Sequence, residues 1–427
     1  MLLDSSIVPA IMTLVNPEDF YQERHQRICR AIYSLEAKNE AADTITVADE
    51  LGRDLDRIGG VVYLSELLDS ASTSAHTEHH AKIVLEKSQL RNITGACEDI
   101  TASVQKGTDA LEVLDLAEGR ILGISRGGTF REPARIDAVV RGSIDSIDHR
   151  MQNKGHITGV DTGFFELNRT LLGWQPDELA IVAARPSSGK TAFAVNCAMT
   201  AARSGVPTLF VSLEMTRFTL CERMLAYDSR LDGQQIRSGS LSDRELARIV
   251  ETGQGVSKLP LWIDDDIGMN VYQVRAKARR LASRTRLGLL LVDYLQIIQS
   301  TKAAETWAME IKKICEGLKS IGRELKIPVV VLAQLKRTGK GEEWRKPYLS
   351  DLKESGATEE VADTVILIHR PEAINEERAK KENLEGMAEI IVAKQRNGPT
   401  HSFRLDFDKP TMRFSDRSEQ QGFIRDR

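Results

Sequence analysis

Cysteine is scarce and scattered: the five among 427 residues (Cys29, Cys97, Cys197, Cys221, Cys315) are odd in number and never spaced Cys-x-x-Cys. That excludes a disulfide framework and a zinc ribbon, and predicts buried thiols in a reducing compartment. Long apolar runs are missing too. No stretch approaches the ~18 apolar residues of a membrane-spanning helix. The apolar start Met1–Val15 is broken by Asp4 and lacks a basic flank, so it predicts a helix fragment and not a secretion signal. An excess of positive charge is absent as well, with 58 Lys and Arg against 62 Asp and Glu, net −4. Any polyanion must therefore be held by local basic loops, or by oligomerisation that concentrates them. What remains, 41% hydrophobic and 28% charged residues, is an ordinary globular composition with length for two or three domains.

The first hundred residues read as helical. Phe20, Ile28, Ile32 and Leu35 lie one face apart, Pro17 sits just inside a helix start, Gly59-Gly60 breaks the pattern before Val61–Leu68, and helices are predicted over Ala81–Val104 and Asp109–Ile124. His76, His79 and His80 are the one histidine cluster, and without a carboxylate or cysteine at ligand spacing they read as a solvated helix start. Ser125-Arg126-Gly127-Gly128-Thr129, followed by Pro133, has linker composition. We place a small all-α domain at 1–125, a linker at 126–160 and a second domain at 161–427. Within the linker, Ile136, Val139, Val140, Ile144, Ile147 and Met151 draw one apolar stripe on a short helix of about 135–151, which must bury it on its own chain or on a neighbouring subunit.

From Gly163 onward strands and helices alternate. Strands are expected at Glu178–Ala183, Pro207–Leu213, Leu287–Asp293, Ile327–Gln334, Thr364–His369 and Glu389–Ala393. These are mostly continuous apolar runs of the kind found in a doubly wound, mostly parallel α/β sheet covered on both faces. Trp307, Ile311, Ile314, Leu318, Ile321 and Leu325 mark an amphipathic crossover helix, and His401–Phe414 reads as a strand, a turn at Asp408-Lys409-Pro410 and another strand.

The first strand runs into Ala184-Arg185-Pro186-Ser187-Ser188-Gly189-Lys190-Thr191 and then a helix-like stretch, Ala192–Ala202. Strand, loop and helix in this order form a phosphate cradle. Backbone N–H groups and a helix N-terminus face the anion, Lys190 reaches the β- and γ-phosphates, and the Thr191 hydroxyl meets Mg²⁺. The expected ligands are therefore ATP, or another nucleoside triphosphate, and Mg²⁺. The usual pattern begins with Gly where this chain has Ala184, and Pro186 gives up its N–H.

Ligands of such sheets collect beyond the carboxyl ends of the strands, so polar residues there are the next candidates. Asp293, after four apolar residues, is the expected Mg²⁺-side carboxylate beside Thr191. Glu214 is placed to orient, or accept a proton from, the attacking water. Gln334 can bond both the γ-phosphate and a downstream loop. Lys394 and Arg396, two residues apart and projecting the same way if extended, read either as a solvated basic strand end or as an arginine finger that, if the active site lies between subunits, reaches the neighbour's γ-phosphate.

Together, Ala-Arg-Pro-Ser-Ser-Gly-Lys-Thr, Ser212-Leu213-Glu214-Met215, Asp293-Tyr294-Leu295-Gln296, Ser350–Gly356 and Lys394-Gln395-Arg396-Asn397-Gly398-Pro399 resemble, in order and spacing, the motifs of the bacterial and phage replicative DNA helicases of the DnaB family. Pro17–Tyr21 and Gly59–Leu67 extend the resemblance into the helical domain. The resemblance implies a RecA-like motor behind a helical collar, a homohexameric ring with ATP sites between subunits, and 5′→3′ translocation on single-stranded DNA. It implies Lys394 and Arg396 acting in trans, the linker helix docked on the adjacent motor, and a cytoplasmic setting in the bacterial nucleoid or a phage-infected cell, with no membrane partner. It assigns Lys353, Glu354 and Gly356 to a loop that holds the DNA backbone, with Lys353 where relatives often have Arg, a point charge in place of a fork. Low aromatic content, 5%, suits backbone tracking better than base stacking.

Family members carry further residues ahead of the position of Leu2-Leu3-Asp4, so this difference bears first on collar packing and on contacts with primase and a loader. RecA-class recombinases, which form open filaments, and ATPases that load or clamp another protein share the motor fold. The helical domain with its linker helix and the Lys394–Pro399 segment favour the ring.

Overall fold

The expected strands, joined by one that the sequence did not mark, assemble into one sheet of nine in the computed structural model, which describes residues 1–38, 40–70, 77–125, 136–152, 157–298, 307–336, 344–352 and 355–417. In chain order they are β1 Leu179–Ala184, β2 Thr208–Ser212, β3 Leu261–Asp264, β4 Leu289–Asp293, β5 Val329–Gln334, β6 Thr364–His369, β7 Met387–Gln395, β8 His401–Asp408 and β9 Arg413–Asp416. The spatial order is β3-β2-β4-β5-β1-β6-β7-β8-β9. The six from β3 to β6 run parallel, and β7, β8 and β9 add an antiparallel edge.

The parallel strands are apolar nearly throughout because both faces are covered. Ala180, Val182 and Ala184 of β1 join a core with Phe193, Cys197 and Met199 of the helix Lys190–Arg203. Leu179, Ile181 and Ala183 join the opposite core with Ile311, Ile314, Leu318 and Ile321 of the helix Trp307–Leu325. The exception is β3, four residues long with Trp262 exposed and Asp264 at its end, which is why so short and partly polar a run gave no strand signal.

The chain divides into two compact units, Met1–Arg141 and Gly142–Arg427. The first is helical, with helices Glu23–Ala37, Gly60–Ser70, Thr77–Gln105 and Ala110–Ser125. Ile28, Ile32 and Leu35 are buried with Val8, Val47 and Leu64, and Gly59 and Gly60 both take positive φ where the chain turns. His79 and His80 are exposed on the helix Thr77–Gln105, and His76 lies outside the described residues. The helix Ile136–Gln152 forms as expected, with Ile136, Val139, Val140, Ile144, Ile147 and Met151 all exposed. Cys29, Cys197 and Cys315 are buried thiols, with burial pushing Cys29 up to about 11 and Cys315 up to about 12. Cys221 is half-buried and Cys97 exposed, against the expectation that all five are buried. Among the described residues no helix is long and apolar enough to cross a membrane.

Candidate nucleotide site

Ala184 is the last residue of β1, buried and extended, and its carbonyl accepts from Leu335 N at 3.0 Å. An extended position needs no glycine, which explains the methyl group where the usual pattern has none. Ser187 and Gly189 turn the loop through positive φ, +62° and +92°, and Ser188 N bonds back to Arg185 O. Lys190 then opens the helix Lys190–Arg203, whose N-terminal N–H groups lack intrahelical partners.

Above this loop lies a cavity of about 480 Å³ lined by Ala184–Ser187, Gly189–Thr191, Glu214, Arg223, Gln334, Arg370, Phe407 and Met412, a volume suited to a nucleotide-sized ligand. Asp293 ends β4 beneath it with no exposed surface. Thr191 Oγ1 donates to Asp293 Oδ2 at 2.6 Å, and Lys190 Nζ stands 3.1 Å from Asp293 Oδ1 and 3.7 Å from Glu214 Oε2. Lys190 Nζ also sits 3.8 Å from the centre of the Tyr294 ring. Asp293 Oδ1 is buried without a hydrogen bond of good geometry. A buried carboxylate oxygen with spare capacity beside a threonine hydroxyl is a hard-oxygen donor pair, and it fits Mg²⁺ that completes its shell with phosphate and water. Among the described residues no cluster of three His, Cys, Asp or Glu offers a cation a protein-only cage.

Gln334 lines the cavity from the end of β5. Its backbone is clamped by Gln296, whose Nε2 donates to Gln334 O and whose Oε1 accepts from Gln334 N, each at 3.2 Å. Two residues on, Lys336 N donates to Asp351 O at 2.8 Å, so β5 runs directly from the cavity to the segment preceding Lys353. That segment is braced by a bidentate pair, Arg345 to Asp351 at 2.6 and 2.7 Å, which holds the Asp351 carboxyl below its ordinary value. Arg345 O in turn accepts from Arg185 Nη2 of the phosphate loop at 3.0 Å.

One grouping expected from the strand-end rule is corrected. Because β7 is antiparallel, its carboxyl end lies beside the start of β6, with Gln395 paired to Thr364. Lys394 and Arg396 are therefore at the opposite end of the strands from the phosphate loop, on the order of 20 Å away for a six-residue strand. They project together, as expected, onto the segment 359–363. Of the loop residues, Lys353 and Glu354 lie outside the described residues. Gly356 is in the short helix Ser355–Val361, and a Cβ placed on it would meet no atom within 4 Å.

Three cationic lining residues, Arg223, Arg370 and Lys409, are not among the expected site residues. Arg223 projects from the helix Arg217–Ser229; burial lowers it and the Asp293 and Glu214 charges raise it again. Arg370 follows β6 directly, so the strand-end rule applied to that strand points to it. Burial pushes it down to about 10, its guanidinium lies 3.7 Å from the Phe407 ring centre, and Nη1 reaches Ser187 O at 3.5 Å.

Comparison with known proteins agrees with this fold. Residues 159–416 match the DnaB-like helicase C-terminal domain and residues 1–86 the DnaB-like helicase N-terminal domain. The chain belongs to the DnaB-like replicative helicases. It is 37% identical to the replicative DNA helicase DnaB of Geobacillus stearothermophilus over 96% of this chain and 90% of that protein. It is 37% identical to the replicative DNA helicase DnaC of Bacillus subtilis (strain 168) over 95% and 90%. Among solved structures it resembles a DnaB-like replicative helicase described with its interactions with primase, at 27% identity and TM-score 0.61 over 96% of this chain and 97% of that one. It also resembles a solved ATPase domain, at 28% identity and TM-score 0.62 over 67% of this chain and 100% of that one. This DnaB-like protein is thus an ATP-dependent DNA helicase.

Proposed function

We propose that this helicase works as a closed homohexamer that threads single-stranded DNA through its centre and moves 5′→3′, displacing the other strand at a replication fork. The supporting observation is the split of catalytic charge between the two ends of one set of strands. The phosphate loop, Glu214, Asp293 and Gln334 stand at one end, and Lys394 and Arg396 stand at the other, too far to serve their own subunit's nucleotide. In a head-to-tail ring each seam brings the two ends together.

At such a seam Lys190 and the N–H groups of Ser187–Thr191 bind the phosphates in the cavity above the loop. Thr191 and Asp293 would hold Mg²⁺, which would supply charge neutralisation at the phosphates. Glu214 orients the attacking water and accepts its proton. Gln334 bonds the γ-phosphate and, through Lys336 and Asp351, passes its loss to the loop of Lys353, Glu354 and Gly356, which grips the DNA backbone. Arg396 and Lys394 neutralise charge on the neighbour's γ-phosphate in the transition state. The collar is residues 1–125 and the motor 161–427. The helix Ile136–Gln152 docks its exposed apolar stripe on the adjacent motor, and primase and a loader are the expected protein partners; a solved relative is described with primase.

Mixing inactive Lys190→Ala and Arg396→Ala subunits tests this reading. Shared seams restore part of the hydrolysis; no recovery despite demonstrated subunit exchange rejects trans catalysis.

A further inference from the structure

The short helix Ser355–Val361 starts at the proposed DNA loop and ends among the cations proposed to serve the neighbouring subunit. Four successive carbonyls at its end are each capped by a side chain from elsewhere. Lys394 Nζ donates to Glu359 O and Ala362 O, Arg396 Nη2 to Glu360 O, and Lys319 Nζ to Val361 O. These are the carbonyls a helix end leaves without partners, at the negative end of its dipole.

Asp363 follows and is buried. Its Oδ1 takes Lys319 Nζ at 2.6 Å and Arg396 Nη1 at 3.2 Å, and its Oδ2 accepts from Leu179 N at 3.0 Å. Its backbone O accepts from Arg396 N at 2.9 Å. One residue thereby fixes both the backbone and the head of the finger arginine against the base of β1. Arg396 keeps 44% of its side chain exposed, and Nη1 and Nη2 each give one N–H to these contacts, so the rest can reach across a seam while it stays anchored.

We propose that Asp363, held by Lys319, is a positioning residue for the trans-acting Arg396, and that the helix Ser355–Val361 carries the position of bound DNA to it. A shift of the loop displaces carbonyls 359–362, and with them the cations aimed at the neighbour's nucleotide. DNA grip in one subunit thus governs hydrolysis at the seam that subunit completes for its neighbour. The inference rests on the trans reading above and deepens it.

The test uses full-length rings mixed from two inactive or impaired variants, in three pairings. Lys190→Ala with Arg396→Ala is the reference and should recover hydrolysis. Asp363→Asn with Lys190→Ala should recover likewise, because intact fingers face intact phosphate loops. Asp363→Asn with Arg396→Ala should not rise above the single variants, since both defects lie on the finger side. No recovery in the reference overturns trans catalysis and this inference with it. Recovery in the reference and also in the third pairing overturns this inference alone.

Asp363→Asn by itself should lower DNA-stimulated kcat about tenfold while the KM for ATP stays within about twofold. Its ratio of DNA-stimulated to DNA-free turnover should fall toward one, with affinity for an oligothymidylate probe unchanged; a ratio kept at the wild-type value rejects the relay. If Asp363→Asn fails to form rings, Lys319→Gln takes its place in every pairing and is judged by the same outcomes.

Discussion

Asp293 has no exposed surface, yet one of its oxygens lacks a hydrogen bond while a lysine and a threonine stand against it. Lys190 Nζ, 3.1 Å from that oxygen, balances the buried charge, and a bound divalent cation would take over that role when Lys190 turns to the phosphates. Asp293→Asn should therefore cut turnover about a thousandfold and make binding of a fluorescent nucleotide insensitive to Mg²⁺; unchanged Mg²⁺ dependence would remove Asp293 from the metal. Lys190→Ala should abolish hydrolysis. Arg396→Ala should leave nucleotide affinity near wild type while turnover drops about a thousandfold or more, as equilibrium binding and single-turnover assays would show. A large loss of affinity instead would place Arg396 in ground-state binding.

At the scale of elements, Lys353→Ala should weaken single-strand binding and reduce the slope of log affinity against log salt by about one. An unchanged slope would move the phosphate contact elsewhere. Ile144→Asp puts a charge into the apolar stripe of the helix Ile136–Gln152 and should shift rings toward smaller species by native mass measurement; intact hexamers would mean that the stripe is not covered in the assembly. The phosphate loop, Glu214, Asp293 and Gln334 were legible because each follows a short apolar run of strand length, the pattern of a strand covered on both faces. The direction of β7 was not. Its apolar run is indistinguishable from a parallel one by periodicity, and pairing sense is set by the connection from β6, not by the strand's own residues. Arg223 was hidden for a different reason, since a helical arginine beyond Glu214 carries no local mark of burial. β3 went unread because Trp262 and Asp264 leave it too short an apolar run.

For the whole molecule, a net charge of −4 is compatible with DNA transport if six copies of the proposed loop converge on a single channel, each offering Lys353 and backbone N–H donors to phosphate. Negative-stain images with nucleotide should show closed rings; open filaments would reject the closed hexamer. Fork substrates bearing one tail at a time should be unwound only with the 5′ tail, and equal unwinding with a 3′ tail would reject the assigned direction. The antiparallel turn at β7 also has a genetic corollary. In the proposed ring, a copy disabled at either margin would still take its place among healthy ones and ruin a junction that they need. Supplying the Arg396→Ala chain alongside the normal one in a dividing host should therefore act as a dominant poison, halting chromosome duplication according to dose.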